Sequence, residues 1–143
     1  MKMHLQLWQK LLILFVCFVC AVIGFMLKLP AAFRGIDREL HAAFYFLAAA
    51  FLNILFAGRN FFKHVIIFIV LGLFGMAIEY AQEYSNKFFR RRIHGRFDPE
   101  DLEWNIKGLI AFSVVWIIFV LLSMIFKRTK LGDRLRTRND ESW

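Results

Sequence analysis

Four long apolar runs constrain this chain more than anything else in it. Residues 11–27 contain no charge, and Lys28 follows them. Residues 40–58 lack Asp, Glu, Lys and Arg, with His41 near the start and Asn53 near the end. Residues 65–78 are apolar up to Glu79, and 80–82 can complete that passage. Residues 108–126 are broken only by Ser113 and Ser123. A helix of about 20 residues covers the roughly 30 Å hydrocarbon core of a bilayer. Lipid offers no partners to bare backbone groups, so such runs are stable there as helices. The expected fold is therefore all-α: a polytopic membrane protein, a bundle of four transmembrane helices. The spans fall at about 11–29, 40–58, 64–82 and 106–126, making one domain over 1–126 with a basic polar tail over 127–143.

Composition agrees. The chain is 59% hydrophobic with 18 Phe and 2 Pro among 143 residues, against about 45–50% apolar in soluble domains. Disorder, collagen-like repeats and a disulfide-rich scaffold are excluded. Lys2, His4 and Lys10 before the first run, with Pro30-Ala31-Ala32 after it, outline a secretory signal. The run is longer than a signal core and three more spans follow, so a retained span is expected. Cys17 and Cys20 lie inside it with no third cysteine to build a tetrahedral site, and they read as small packing residues.

Charge then becomes a matter of position. Four spans put both termini on one side with the short 59–63 turn. Lys and Arg are nearly balanced, ten on that side against nine on the other. The compact run Lys127, Arg128, Lys130, Arg134, Arg136 and Arg138 adjoins a span, which favours cytoplasmic termini and suits anionic headgroups. The net charge of +8 therefore points to membrane surfaces. Nucleic acid is not an expected partner, because no basic motif interleaved with aromatics is present.

The first and third connections share the opposite face and carry the unusual polar residues. Asp37, Arg38, Glu39 and His41 lie near the first. Glu79, Gln82 and Glu83 lie near the third, then Arg90, Arg91, Arg92, Arg96, Asp98, Asp101 and Asn105. Glu79 stands about one turn inside its span, where acids tend to face a bundle interior or wet cavity and mark a site. A structural alternative has it pair with Arg38 or Arg96, or carry a proton bonded to a neighbouring helix. Asp37 and His41 share a helix face, an acid–base arrangement, although Asp37 also fits an N-cap. Asp98-Pro99 reads as an N-cap with proline at N1 and Asp101 as the capping-box acid at N3, starting a helix that runs into the fourth span. Asn105 beside Gly108 suits close interhelical packing.

These residues resemble the VanZ-like family of integral membrane proteins. Asp37-Arg38 with His41, Phe44 and Tyr45 looks like the family's "DK…H" opening, with arginine where lysine is commoner. Glu79-x-x-Gln82 resembles its "E..Q" element, and Arg96, Asp98, Asp101, Asn105 and Gly108 its closing "R…D..D…N..G" pattern. The three blocks occur in the family's order across 35–111. The resemblance implies a small cell-envelope membrane protein linked, in the named member, to resistance against teicoplanin, a glycopeptide antibiotic. It supplies no reaction.

Three functions fit. The polar face, comprising Asp37, Arg38, His41, Glu79, Gln82, Arg96, Asp98, Asp101 and Asn105, binds an anionic or phosphorylated lipid-linked partner, since arginine forks suit phosphate. Alternatively, the chain is a hydrolase or transferase acting on a lipid phosphate, with Glu79, His41 or Asp101 as acid or base. Or it is an accessory protein whose polar residues lock helices together. His41, Glu79, Asp98 and Asp101 offer metal ligands, but no H-E-x-x-H, P-loop or G-x-S-x-G spacing appears. Neither metal nor other cofactor is expected on that ground. The absence of repeats argues against a secondary transporter.

Overall fold

The computed structural model describes residues 5–26, 36–89 and 97–140, with side chains through Thr129. Four α-helices follow one another: α1 (Leu7–Met26), α2 (Asp37–Leu52), α3 (Phe61–Phe88) and α4 (Pro99–Asp140). No strand occurs among the described residues. Each helix is long and apolar enough to cross a membrane, α2 when counted with the turn that follows it. The chain is an all-α four-helix bundle of the expected class.

Two helices outrun their apolar segments. α3 continues past residue 82 because nothing there breaks it, and Glu83 pairs with Lys87 one turn on at 2.8 Å. α4 begins at Pro99, as the Asp98-Pro99 signal predicts, and runs through the basic tail to Asp140. Its 42 residues make a rod about 63 Å long.

The start of α2 differs from expectation. Ile36 occupies the N-cap position with no side-chain cap bond, and Asp37 is already the first helical residue. Its charge still favours the positive end of the helix, but Asp37 is not the cap. At its other end α2 relaxes into a π-helical turn, Asn53–Ala57, where the Gly58 amide donates to the Asn53 carbonyl at 2.8 Å. Gly58 reverses the chain at φ +56°, a region that glycine enters freely. Asn60 then caps α3 by accepting from the Lys63 amide at 3.0 Å.

α2 and α4 form the closest pair. Gly108 makes this possible, because a Cβ there would run into the Ala42 carbonyl oxygen, with the carbonyl carbon 2.9 Å away. Tyr45, Ala49, Leu71, Leu109, Phe112 and Trp116 fill the core. α1 has no buried residue. It leans on the others through aromatic edges, Phe18 on Phe74 at 5.7 Å and Phe25 on Phe44 at 4.8 Å, and through Lys10 Nζ, which donates to the Leu55 carbonyl at 2.7 Å. The outer surface is lined with side chains such as Ile69, Leu73, Val114 and Ile118. So much exposed apolar area suits hydrocarbon, not water.

Candidate functional site

The end of α1, the start of α2, the end of α3 and the start of α4 come together at one end of the bundle. Gln82 donates from Nε2 to the Phe25 carbonyl at 2.8 Å, satisfying one of the orphan acceptors of the last turn of α1. Arg38 forms an ion pair with Glu100 across the starts of α2 and α4, both side chains about half exposed. The cluster lies inside this frame.

Its organisation begins with the first turn of α4. Asp98 caps the helix, its Oδ1 accepting from the Glu100 amide at 2.9 Å. In a capping box the acid at N3 would reach back to the N-cap amide. The structure corrects that expectation for Asp101: the Asp98 amide donates instead to Glu79 Oε2, at 3.2 Å. A carboxylate from α3 thus does what a local one could have done, and Asp101 is left for another use. Glu79 is 1% exposed, and its Oε1 has no hydrogen-bond partner among the described residues. The pairing with Arg38 considered from sequence is not formed; Arg38 is engaged by Glu100. Arg96 and Arg90, Arg91 and Arg92 lie outside the described residues.

His41 is 7% and Asn105 2% exposed, and His41 Nδ1 lies 2.9 Å from Asn105 Oδ1. An amide oxygen only accepts, so Nδ1 is the donor in this contact. Phe25 covers the imidazole edge-on at 5.2 Å. One ligand-type atom from each of Asp37, His41 and Asp101 lies within 4.8 Å of the others. Deeper in, the Tyr45 hydroxyl is fully buried without a partner among the described residues. Gly75 on α3 leaves room for it: a Cβ there would come within 2.9 Å of Asn105 Nδ2 and 3.0 Å of Tyr45 Oη.

The predicted residues therefore divide. Asp37, His41, Glu79, Asp98, Asp101 and Asn105 converge, whereas Arg38 stands at the rim and Gln82 holds α1 in place. Three buried oxygens, Asp37 Oδ1, Tyr45 Oη and Glu79 Oε1, have no partner among the described residues. Buried polar atoms are rarely left so. Carboxylates around an oriented imidazole can accept a proton, bind a cation or receive hydrogen bonds from a ligand.

Sequence reasoning missed a second polar cluster, about 22 Å away along α3. His64 Nδ1 lies 2.9 Å from Asn53 Oδ1, and its Nε2 lies 3.2 Å from Ser113 Oγ. Its ring stacks on Trp116 at 4.2 Å, and Trp116 Nε1 donates to the Gly58 carbonyl at 3.0 Å. Asn53 Nδ2 and Ser113 Oγ donate to the carbonyls of Ala49 and Leu109. Each polar side chain here has partners, as polar glue between membrane helices should. The available signal was His64 at the mouth of an apolar run.

Comparison of the chain with protein-family models, with curated proteins and with solved structures finds no match in any of the three.

Proposed function

We propose that this chain is a VanZ-like membrane protein of the cell envelope whose polar end binds an anionic or phosphorylated lipid-linked partner. One observation carries the reading. The three sequence blocks behind the resemblance, far apart along the chain, supply the residues of a single partly buried cluster: Asp37 and His41, then Glu79, then Asp98, Asp101 and Asn105. Arg90, Arg91, Arg92 and Arg96 in the connection between α3 and α4 supply forked donors suited to phosphate, and the oxygens without partners among the described residues can accept hydrogen bonds from hydroxyl or amine groups of a headgroup. With the basic tail at the cytoplasmic surface, the cluster belongs to the opposite leaflet. A link to glycopeptide susceptibility follows from the resemblance alone.

Purification with native lipids followed by mass spectrometry tests the partner. Selective retention of an anionic or lipid-phosphate species is expected, reduced by Arg96→Ala. Retention indifferent to that change counts against the reading. Turnover of such a lipid, abolished by Glu79→Gln or Asp101→Asn without loss of expression, would favour an enzyme. Full activity of Glu79→Leu would leave only a helix-locking role.

A further inference from the structure

The cluster contains a donor set that the spacing of residues in sequence does not reveal. We infer that Asp37, His41 and Asp101 form a binding site for one divalent first-row metal ion of the zinc or manganese kind. The inference goes beyond the lipid-partner reading and stands without it.

The donors come from two helices, one imidazole and two carboxylates, with their ligand atoms within 4.8 Å of one another. Ligand atoms on a single ion stand roughly 3–3.5 Å apart, so closure needs only a small side-chain adjustment. The imidazole is already oriented. Asn105 Oδ1 at 2.9 Å from Nδ1 fixes the ring, the outer-shell arrangement that metal-bound histidines use.

Neither carboxylate has the local duty its position suggests. Asp37 opens α2 without capping it, and its buried Oδ1 has no partner among the described residues. Asp101 sits at N3 of α4, where a capping-box acid would take the Asp98 amide, but Glu79 has taken that amide. Helix starts and acidic groups are common without a ligand, so the surroundings decide. Glu79 is 1% exposed with no partner for Oε1 among the described residues, and the charges of Asp101, His41 and Asp98 act on it. At Asp101 the fields of Asp98 and Asp37 are opposed by those of His41 and Arg38, Arg38 being also paired with Glu100. Carboxylates gathered at low dielectric are costly unless a cation joins them. The nitrogen donor selects zinc or manganese over magnesium or calcium, which prefer all-oxygen sites.

The test uses the full chain in detergent, stripped by chelator, exposed separately to Zn2+ and Mn2+, desalted and assayed for metal by mass spectrometry. Stoichiometric uptake of at least one of the two is expected, with a metal-dependent rise in unfolding temperature. Asp37→Asn and Asp101→Asn, which keep shape, should each weaken binding tenfold or more. Asn105→Ala leaves every ligand in place and should weaken it about 10–100-fold. Glu103→Gln, on the exposed side of α4 beside Lys107, should bind as wild type. Should the variants fail to fold, Co2+ loading of the wild-type chain decides, with visible d–d bands expected from a nitrogen–oxygen site. Failure of the wild-type chain to take up any of these ions overturns the inference, as does equal uptake by a folded Asp37→Asn/Asp101→Asn protein. Loss of lipid retention with metal uptake intact would instead sink the lipid reading alone.

Discussion

Glu79 shows how one side chain can do structural and chemical work with different atoms. Oε2 closes the start of α4 by accepting the Asp98 amide, while Oε1 has no partner among the described residues and the charges of Asp101 and His41 act on the same carboxyl group. The two tasks separate by substitution. Glu79→Gln keeps an oxygen for the amide and should change the unfolding temperature in detergent little, while abolishing whatever the charge does. Glu79→Leu strands the part-buried Asp98 amide and should cost about 1–3 kcal/mol, read as a lowered unfolding midpoint. Gly75→Ala should destabilise by a similar amount for another reason. Its methyl would press on Asn105 Nδ2 and Tyr45 Oη, and overpacking costs about 1–3 kcal/mol.

Between helices, the α2–α4 contact depends on Gly108. The obstacle to a side chain there is the Ala42 backbone carbonyl, which no rotamer change can remove. Gly108→Ala should therefore force the helices apart, lower the unfolding midpoint more than Gly75→Ala does, and break the His41–Asn105 contact one turn away. At the other end, Trp116→Phe keeps the stack on His64 and removes only the bond to Gly58, which should cost about 0.6 kcal/mol. The helices themselves were legible from sequence because lipid demands unbroken apolar runs, and Asp98-Pro99 announced the start of α4. The α2–α4 approach was half legible, since Gly108 was noted but its counterpart, a backbone atom, has no sequence signature. Interhelical pairing was not legible. Asp101 looked committed to its own helix, and only the rotation of α3 that brings Glu79 to the Asp98 amide releases it. Asn53, His64 and Ser113 meet where a π-helical turn begins at Asn53, a turn that no residue pattern marks.

At the scale of the whole molecule, polarity is divided between the two ends of an apolar bundle, with the lipid-facing surface between them. If both termini are cytoplasmic, a cysteine introduced near Arg96, in a chain with Cys17 and Cys20 replaced, should be labelled by an impermeant reagent from outside intact cells. One introduced beyond Lys127 should be protected until the membrane is opened, and the opposite pattern would reverse the topology. α4 joins the two ends as one continuous helix. From Asn105 to Lys127 it rises about 33 Å, close to the roughly 30 Å hydrocarbon thickness. The helix is thus a ruler laid across the bilayer. With its basic end held at one surface, membrane thickness sets how deeply Asp101 and Asn105 sit at the other. A thicker, sterol-rich or long-chain bilayer would draw the cluster into hydrocarbon, and a thinner one would lift it into the headgroups, so the lipid composition of a vesicle becomes a means of setting the site's access to water.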